Sequence, residues 1–327
     1  MNLSRKKIKK RYLQFTYLLI GICTTLLFLF FPTHKILSEN TFPEINLVSG
    51  TEVGEYYALA KNIETIAKEK NLDLDVIPTK GSLQNIHDVF SHETIPLGIA
   101  QGDTLAFLNT FANDDEQARL QSESLKAVLP LYAEQVHVIT RKDITSIAQL
   151  EDKTISLGND QSGSSMTAST LLYQWGIKPK ELVTYDIKRA ISALRNQEID
   201  ALFYVVGFPA EVLETQILPE DNFHLLPVSL EMRSDDDFYN RLYNRANIPA
   251  NTYSWQKESV QTLAIQSYLI TTSEANCGDV NAVANVIRNN LNWLQTNGNS
   301  IWRNVDLQVN KDLTLQRFSS CSSSSIF

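Results

Sequence analysis

Short apolar runs alternate with longer amphipathic stretches along most of this chain. An apolar run at residues 45–48 precedes a helical pattern at 53–68, and a run at 72–77 precedes a short helical pattern at 83–90. The same order continues through residues 97–108 and again through 154–226. Strands that alternate with helices at this spacing predict an α/β protein with a mostly parallel sheet and right-handed crossovers.

The middle of the chain predicts two lobes. Two apolar runs, at residues 126–132 and 136–140, follow each other closely, and a long apolar run at 262–272 precedes an amphipathic helix at 279–297. We therefore predict that lobe 1 contains residues 44–134 and 262–327, and that lobe 2 contains residues 135–261. A chain that crosses between lobes at least twice predicts a hinge and a central cleft.

The N-terminal 43 residues have a different pattern. Residues 13–31 are uncharged, and nineteen residues at about 1.5 Å each cross most of a bilayer core. Six lysines and arginines lie in the first eleven residues, which predicts a cytoplasmic basic segment at 1–12 and an extracytoplasmic body. No small-residue cleavage site follows, so a retained single-pass anchor in the inner membrane, with a linker at 32–43, is favoured over a cleaved signal that releases the protein to the periplasm.

Charge and cysteine content exclude several classes of protein. The formal net charge is −8 although the first eleven residues are all basic or neutral, so the body is acidic and lacks the broad basic face of a nucleic-acid binder. No cysteine or histidine grouping has metal-ligand spacing, and no cofactor motif is present. Cys23 lies in the predicted span, whereas Cys277 and Cys321 lie in the exported part, where they are either bridged or free.

Two polar turns carry the strongest functional signal. The first, with Thr51 and Glu52, separates a strand from a helix, and the second, with Gln161, Ser162, Gly163 and Ser164, does so about a hundred residues later. A helix N-terminus offers unpaired backbone N–H groups and the positive end of a dipole. Either turn alone could be an ordinary helix cap. Two of them on two lobes favour a shared small anionic ligand.

Further polar and aromatic residues follow the same strand-to-helix positions. We predict that Lys80 compensates the charge of the ligand, that Ser82 and Asn85 add hydrogen bonds, and that Tyr57 packs against the carbon skeleton. Three more candidates come from the ends of predicted strands, where ligands collect in open α/β sheets: Gln101, Tyr204 and Gly207. We expect Asp103 to cap a helix, His137 to be an interior or hinge residue, and the acidic run at residues 235–237 to be a solvated helix face.

Seven spaced segments resemble the TAXI-type solute receptors of TRAP (tripartite ATP-independent periplasmic) transporters. They occur in the order GTEVGEYY, TKGSLQN, GIAQGD, LYAEQVHVITR, SLGNDQSGSS, IDALFYVVGFP and IPANTY, and the resemblance covers most of residues 45–295. It implies a type II periplasmic-binding-protein fold that closes on a small organic anion, an amino acid such as glutamate or a dicarboxylate, and delivers it to a membrane permease. This chain differs from the family pattern at Lys80, Gly102 and Ser165, so its ligand can differ too.

Three functions remain open from the sequence. The first is solute capture for a TRAP-type permease, and the second is a membrane-tethered sensor or scaffold with the same fold and no transport role. The third is an enzyme on this fold, which we do not expect, because no GxSxG elbow or phosphate loop is present and the serines at 162 and 164 are better explained as anion donors.

Overall fold

The computed structural model describes residues 44–111, 116–229, 237–308 and 318–321. The predicted basic segment, the membrane span at 13–31, the linker at 32–43, Cys23 and most of the acidic run at 235–237 lie outside these residues. Among the described residues, none of the helices combines the length and the apolar character needed to cross a membrane. The anchor and its orientation therefore stay predictions.

Ten strands form one continuous sheet in the described residues, in the order β2-β1-β3-β10-β4-β7-β5-β6, with β8 beside β4 and β9 beside β10. Their bounds are β1 Ile45–Val48, β2 Leu74–Ile77, β3 Leu97–Gln101, β4 Leu125–Arg141, β5 Thr154–Ser156, β6 Glu181–Val183, β7 Ala201–Val206, β8 Phe223–Leu225, β9 Asn244–Ile248 and β10 Val260–Thr272.

In the part of the chain that the structure describes, ten α-helices connect and cover these strands. Their bounds are α1 Glu55–Glu69, α2 Ser82–Ser91, α3 Gly102–Phe111, α4 Glu116–Ser124, α5 Gly163–Trp175, α6 Ile187–Arg195, α7 Glu211–Gln216, α8 Asp237–Leu242, α9 Cys277–Asn289 and α10 Leu291–Asn297. Short 3-10 helices occupy Ile147–Leu150, Pro219–Asp221 and Ser300–Asn304.

The sheet has two halves joined by two long strands. In the first half β1 pairs in parallel with β2 and β3, and in the second half β5 pairs in parallel with β6 and β7. Between them β4 and β10 run antiparallel to each other. Their pairing extends from Leu125 with Thr272 at one end to Gln135 with Ala264 at the other. The centre of the sheet is therefore antiparallel, and only the outer strands follow the parallel pattern that the sequence predicts.

Helix periodicity explains how the first half builds its core. In α1 the residues Leu59, Ile63 and Ile66 recur every three or four positions and are all almost completely buried. They pack with Leu47 of β1 and with Trp302 in one cluster. A second cluster joins α5 to β5 and β7, so each half has apolar packing of its own.

Three elements differ from the sequence prediction. The two apolar runs at 126–140 form the single strand β4, which continues through Glu134 and Gln135 because both pair with β10. The predicted helix at 279–297 is two helices, since Asn290 leaves helical geometry with φ −122° and ψ 17°. The strand β9 was missed because its sequence, Asn244–Ile248, is polar, as suits an edge strand paired only with β10.

A disulfide joins Cys277 at the start of α9 to Cys321, with the two Cα atoms 5.1 Å apart. It brings the described C-terminal residues against the first half, where Phe318 forms a bridge with Ala127 of β4. The sequence left Cys277 and Cys321 either bridged or free, and the structure contains the bridge.

Candidate functional site

A cavity of about 330 Å³ lies between the two halves of the sheet. From the first half it is lined by the turn before α1, the turn before α2, the end of β3 and part of β4. From the second half it is lined by the turn before α5, the start of α6 and the strand β7. Its volume is at the lower end of the range for ligand pockets, so it suits a small solute.

Nine of the thirteen residues predicted to bind ligand line this cavity: Thr51, Glu52, Lys80, Ser82, Gln101, Ser162, Gly163, Ser164 and Tyr204. The other four do not: Tyr57, Asn85, Gln161 and Gly207. The structure therefore brings both predicted turns to one cavity, while contact of these residues with a ligand stays a prediction.

The turn before α1 leads into a helix whose first residue is acidic. The helix begins after Gly54, and its first residue, Glu55, carries a carboxylate that complements the helix dipole. The backbone N–H of Gly207, in the second half, donates to Oε2 of Glu55 at 2.9 Å. The carboxylate of Glu55 is thus bonded within the protein, and Gly207 contacts Glu55 instead of lining the cavity.

The turn before α5 is held by its own serines. Ser162 caps the helix: its Oγ accepts from the N–H of Ser165 at 3.1 Å and donates to the carbonyl of Asn159 at 2.7 Å. Ser164 Oγ accepts from the N–H of Val205 in β7 at 3.0 Å. These bonds give both hydroxyls a structural role, so the polar surface this turn offers a ligand is mainly backbone.

Two predicted hydrogen-bonding residues serve the protein itself. Asn85 is fully buried, its Nδ2 donates to the carbonyls of Ser49 and Ile99, and its Oδ1 accepts from Thr79. Gln161 is exposed, and its backbone carbonyl accepts from the N–H of Gln84 at 3.2 Å. Both polar atoms of the Asn85 side chain have partners within the protein, and the ligand role that we predicted for Asn85 stays a prediction.

Lys80 lies at the edge of the cavity with its ammonium engaged. Its Nζ is 2.9 Å from Oδ1 of Asp160, and both side chains are about half exposed. The bond from Lys80 lowers the pKa of Asp160 below its ordinary value. The charge that we expected Lys80 to supply to a ligand is thus shared with a carboxylate of the opposite half.

Of two neighbouring tyrosines, Tyr56 lines the cavity and the predicted Tyr57 does not. Tyr57 is half-buried against the core of the first half, whereas Tyr56 lines the cavity and donates its hydroxyl hydrogen to Oε1 of Glu134. Successive helix residues point about 100° apart, so a one-residue error in helix phase selects the wrong ring. Tyr132 and Phe203 add further aromatic surface to the cavity.

Glu134 is the deepest charged residue of the cavity, and the sequence analysis did not single it out. It is 3% exposed, and the amide Nε2 of Gln101 donates to its Oε2 at 2.9 Å. Burial raises the pKa of Glu134 well above its usual value, against the effect of the bond from Tyr56. The available signal was a carboxylate that follows the apolar residues Leu131, Tyr132 and Ala133 in the segment LYAEQVHVITR.

Glu55 is the second carboxylate of the cavity. Burial raises its pKa to about 7, although the N–H of Gly207 and the hydroxyl of Tyr132 each donate to it and favour its charged form. The charges of Glu55 and Glu134 each oppose ionisation of the other cavity groups, including Tyr132. The wall from the first half is thus rich in acids and acceptors.

Two further buried residues make interior contacts, and one of them, Asp103, joins the two halves. Asp103 is completely buried, accepts from the N–H of Thr104 at 2.7 Å as expected of a helix start, and also accepts from Thr167 of α5 at 2.6 Å and from Tyr243 at 3.1 Å. The ring nitrogens of His137 are each 2.9 Å from an oxygen, and burial lowers its pKa to about 4. Both therefore have interior structural roles.

Metal binding finds no support in the described part of the chain. No group of three or more histidine, cysteine, aspartate or glutamate side chains is close enough there to hold an ion. The aspartates at 235 and 236 lie outside the described residues.

Comparison with protein families assigns the chain. The NMT1-like family model matches residues 47–315. This range contains the last two residues of β1, all of β2 to β10, and every residue that lines the cavity. The chain belongs to the NMT1-like family. This family is of the periplasmic solute-binding type, and the protein is a ligand-binding receptor of the periplasmic-binding-protein type.

Three solved structures resemble the fold at low identity. An ancestral arginine-binding protein bound to arginine is 11% identical, with 80% of this chain and 96% of that chain covered at a TM-score of 0.48. The substrate-binding protein of an amino acid ABC transporter is 13% identical, with 77% and 97% covered at 0.46. The periplasmic sulfonate-binding protein SsuA from Methylobacillus flagellatus is 13% identical, with 86% and 81% covered at 0.45.

Proposed function

We propose that this protein is an extracytoplasmic receptor that captures a small organic solute in the cleft and delivers it to a TRAP-type permease. Residues 13–31 would hold it at the inner membrane. The observation that carries the proposal is one small cavity walled by both halves of the sheet, with a helix start on each side. A ligand that touches both halves stabilises the state in which they are close.

The cavity favours one of the two ligand classes that the sequence resemblance implies. Glu55 and Glu134 face it from the first half, and Lys80 is engaged with Asp160. A dicarboxylate would add two negative charges beside these acids, whereas an amino acid brings an ammonium group that they can accept. We therefore propose an amino acid rather than a dicarboxylate.

Binding without chemical conversion is the simpler use of this site. The hydroxyls of Ser162 and Ser164 are held by backbone groups, and none of the four histidines in the described residues lines the cavity. A serine nucleophile would need a base within hydrogen-bond reach. We propose that the ligand leaves the protein unchanged, which mass spectrometry of a recovered ligand tests directly.

A thermal-shift screen of amino acids, amines and carboxylic acids tests the receptor proposal. A true ligand present at about one hundred times its Kd should add about 2.7 kcal/mol to the free energy of unfolding. Uptake of that ligand should then require both this protein and a TRAP-type permease in the same cells. A screen in which no solute shifts the melting temperature would contradict capture, and uptake that is unaffected by removal of this protein would contradict delivery.

A further inference from the structure

The charge of the cavity lining is unbalanced. The charged side chains that line it in the described residues are four acids, at Glu52, Glu55, Glu134 and Asp186, and one cation, Lys80. Because Lys80 is already within 2.9 Å of Asp160, its charge is compensated before any ligand binds. The titratable groups of the site are therefore mostly acids, and the carboxyls of Glu55 and Glu134, whose pKa values burial raises, would ionise fully beside a ligand of the opposite sign.

Acceptor atoms converge where the acids lie deepest. Gln101 is 1% exposed and its Nε2 is used by Glu134, but its Oε1 has no hydrogen-bond partner among the described residues. That oxygen lies against Gly163, where a Cβ would be only 1.7 Å from it. A buried amide oxygen left without a donor is costly, so a donor brought by a ligand would relieve it.

Aromatic rings surround the same acceptors. Tyr56 and Tyr132 belong to the first half, their ring centroids are 6.3 Å apart, and Phe203 and Tyr204 face them from β7. The faces of such rings attract ammonium groups, most strongly where water is excluded. Carboxylates, an amide oxygen and aromatic faces together form the set of groups that recognises a protonated amine.

We propose that the cleft selects a small organic cation whose protonated amine sits between the carboxylates of Glu55 and Glu134 and donates to Oε1 of Gln101. The proposal rests on the proposed receptor function and names its ligand class: a molecule of net positive charge, such as a diamine or a basic amino acid. For a basic amino acid, the carboxylate would meet the backbone of the turn before α5.

Calorimetry with four probes of similar size tests this assignment: putrescine, lysine, glutamate and succinate. We expect lysine or putrescine to bind at least tenfold more tightly than glutamate, and succinate not to bind. Glu134→Gln keeps the size of the side chain but replaces two acceptor oxygens with one oxygen and one NH₂ group, so it removes the charge and one of the two bonds from Tyr56 and Gln101, and should weaken the amine by tenfold or more. Glu55→Gln is the second variant and should act in the same direction.

Glu69→Gln is the matched control, because Glu69 is an exposed glutamate at the far end of α1. It should leave the affinity unchanged, and thermal unfolding in the absence of ligand shows whether each variant is folded. Tighter binding of glutamate or succinate than of both amines would overturn the cation assignment and leave the receptor proposal standing. Failure of all four probes would count against both.

Discussion

The wall that the first half of the sheet gives to the cleft carries Glu55, Tyr56 and Glu134, whereas the wall from the second half combines the backbone of the turn before α5 with Asp186 and the aromatic side chains of β7. The first wall is made of side chains from a helix start and from the crossing strand β4. In the second wall the serine hydroxyls are used to cap a helix and to hold β7. The two turns looked alike in sequence and each carries an acid, but Glu52 of the first lines the cavity whereas Asp160 of the second pairs with Lys80, so similar loops can offer a ligand different chemistry.

The disulfide provides the largest expected effect and belongs to the first half alone. Because Cys277 and Cys321 are 44 residues apart, closing that loop should stabilise the fold by about 4 kcal/mol. Reduction should lower the unfolding midpoint in urea by a corresponding amount and leave the affinity for ligand unchanged, since α9 does not line the cavity. A Cys277→Ser, Cys321→Ser variant should no longer respond to reductant. Loss of binding on reduction would show that the disulfide and the cavity wall of the first half are coupled.

Removal of Asp103 should weaken the tie between the halves. Asp103→Ala leaves the hydroxyls of Thr167 and Tyr243 without their buried acceptor, which should cost about 2–3 kcal/mol of unfolding free energy. Asp75→Ala is the control, because Asp75 is exposed on β2 and its removal should change stability by less than about 0.5 kcal/mol. Equal losses in the two variants would contradict a structural role for Asp103.

The acidic wall should make the ligand-free protein less stable as pH rises. Burial raises the pKa of Glu55 from 4.5 to about 7, so the folded state holds a proton that the unfolded state releases between these values. The stabilisation is complete below the unfolded pKa and is lost as pH rises through about 7, with a loss on the order of 2–3 kcal/mol. The other titratable groups around Glu55 are Glu52, Tyr132, Glu134, Lys188, Tyr204, Glu211 and Tyr253.

Urea unfolding at about pH 5 and about pH 8 measures this loss. Glu55→Gln should reduce the difference between the two pH values, because the amide does not ionise, and Glu69→Gln should leave it as in the parent protein. Stability that rises between the two pH values in the parent protein would contradict the raised pKa of the Glu55 carboxyl.

The pair between Lys80 and Asp160 should have the smallest effect. It joins the two halves at the surface, and exposed ion pairs contribute only about 0–1 kcal/mol. Lys80→Ala and Asp160→Ala should therefore each change the unfolding free energy by less than about 1 kcal/mol, and the double variant should equal either single variant. A tenfold or greater loss of affinity in Lys80→Ala would restore the ligand role that the sequence predicts for this residue.

Sequence patterns predicted the parallel outer strands and both turns, because alternation and glycine-rich turns are local signals. They missed the antiparallel centre, where Glu134 and Gln135 interrupt the apolar pattern of β4 and both pair with β10. They also chose Tyr57 over Tyr56, since helix phase at a first turn depends on where the helix begins. The bonds from Asn85 to the carbonyls of Ser49 and Ile99 were not predicted, because these partners are 36 and 14 residues away in the chain.

The two strands that run through both halves restrict how the cleft can open. Because β4 and β10 are continuous and hydrogen-bonded to each other across the boundary, the halves cannot slide apart without breaking that ladder. They can only twist about it, near the register shifts of β10 at Gln266 and Tyr268. Spectroscopic probes on the outermost strands, β2 and β6, would therefore report the widest excursion, while a probe on β4 would stay almost still.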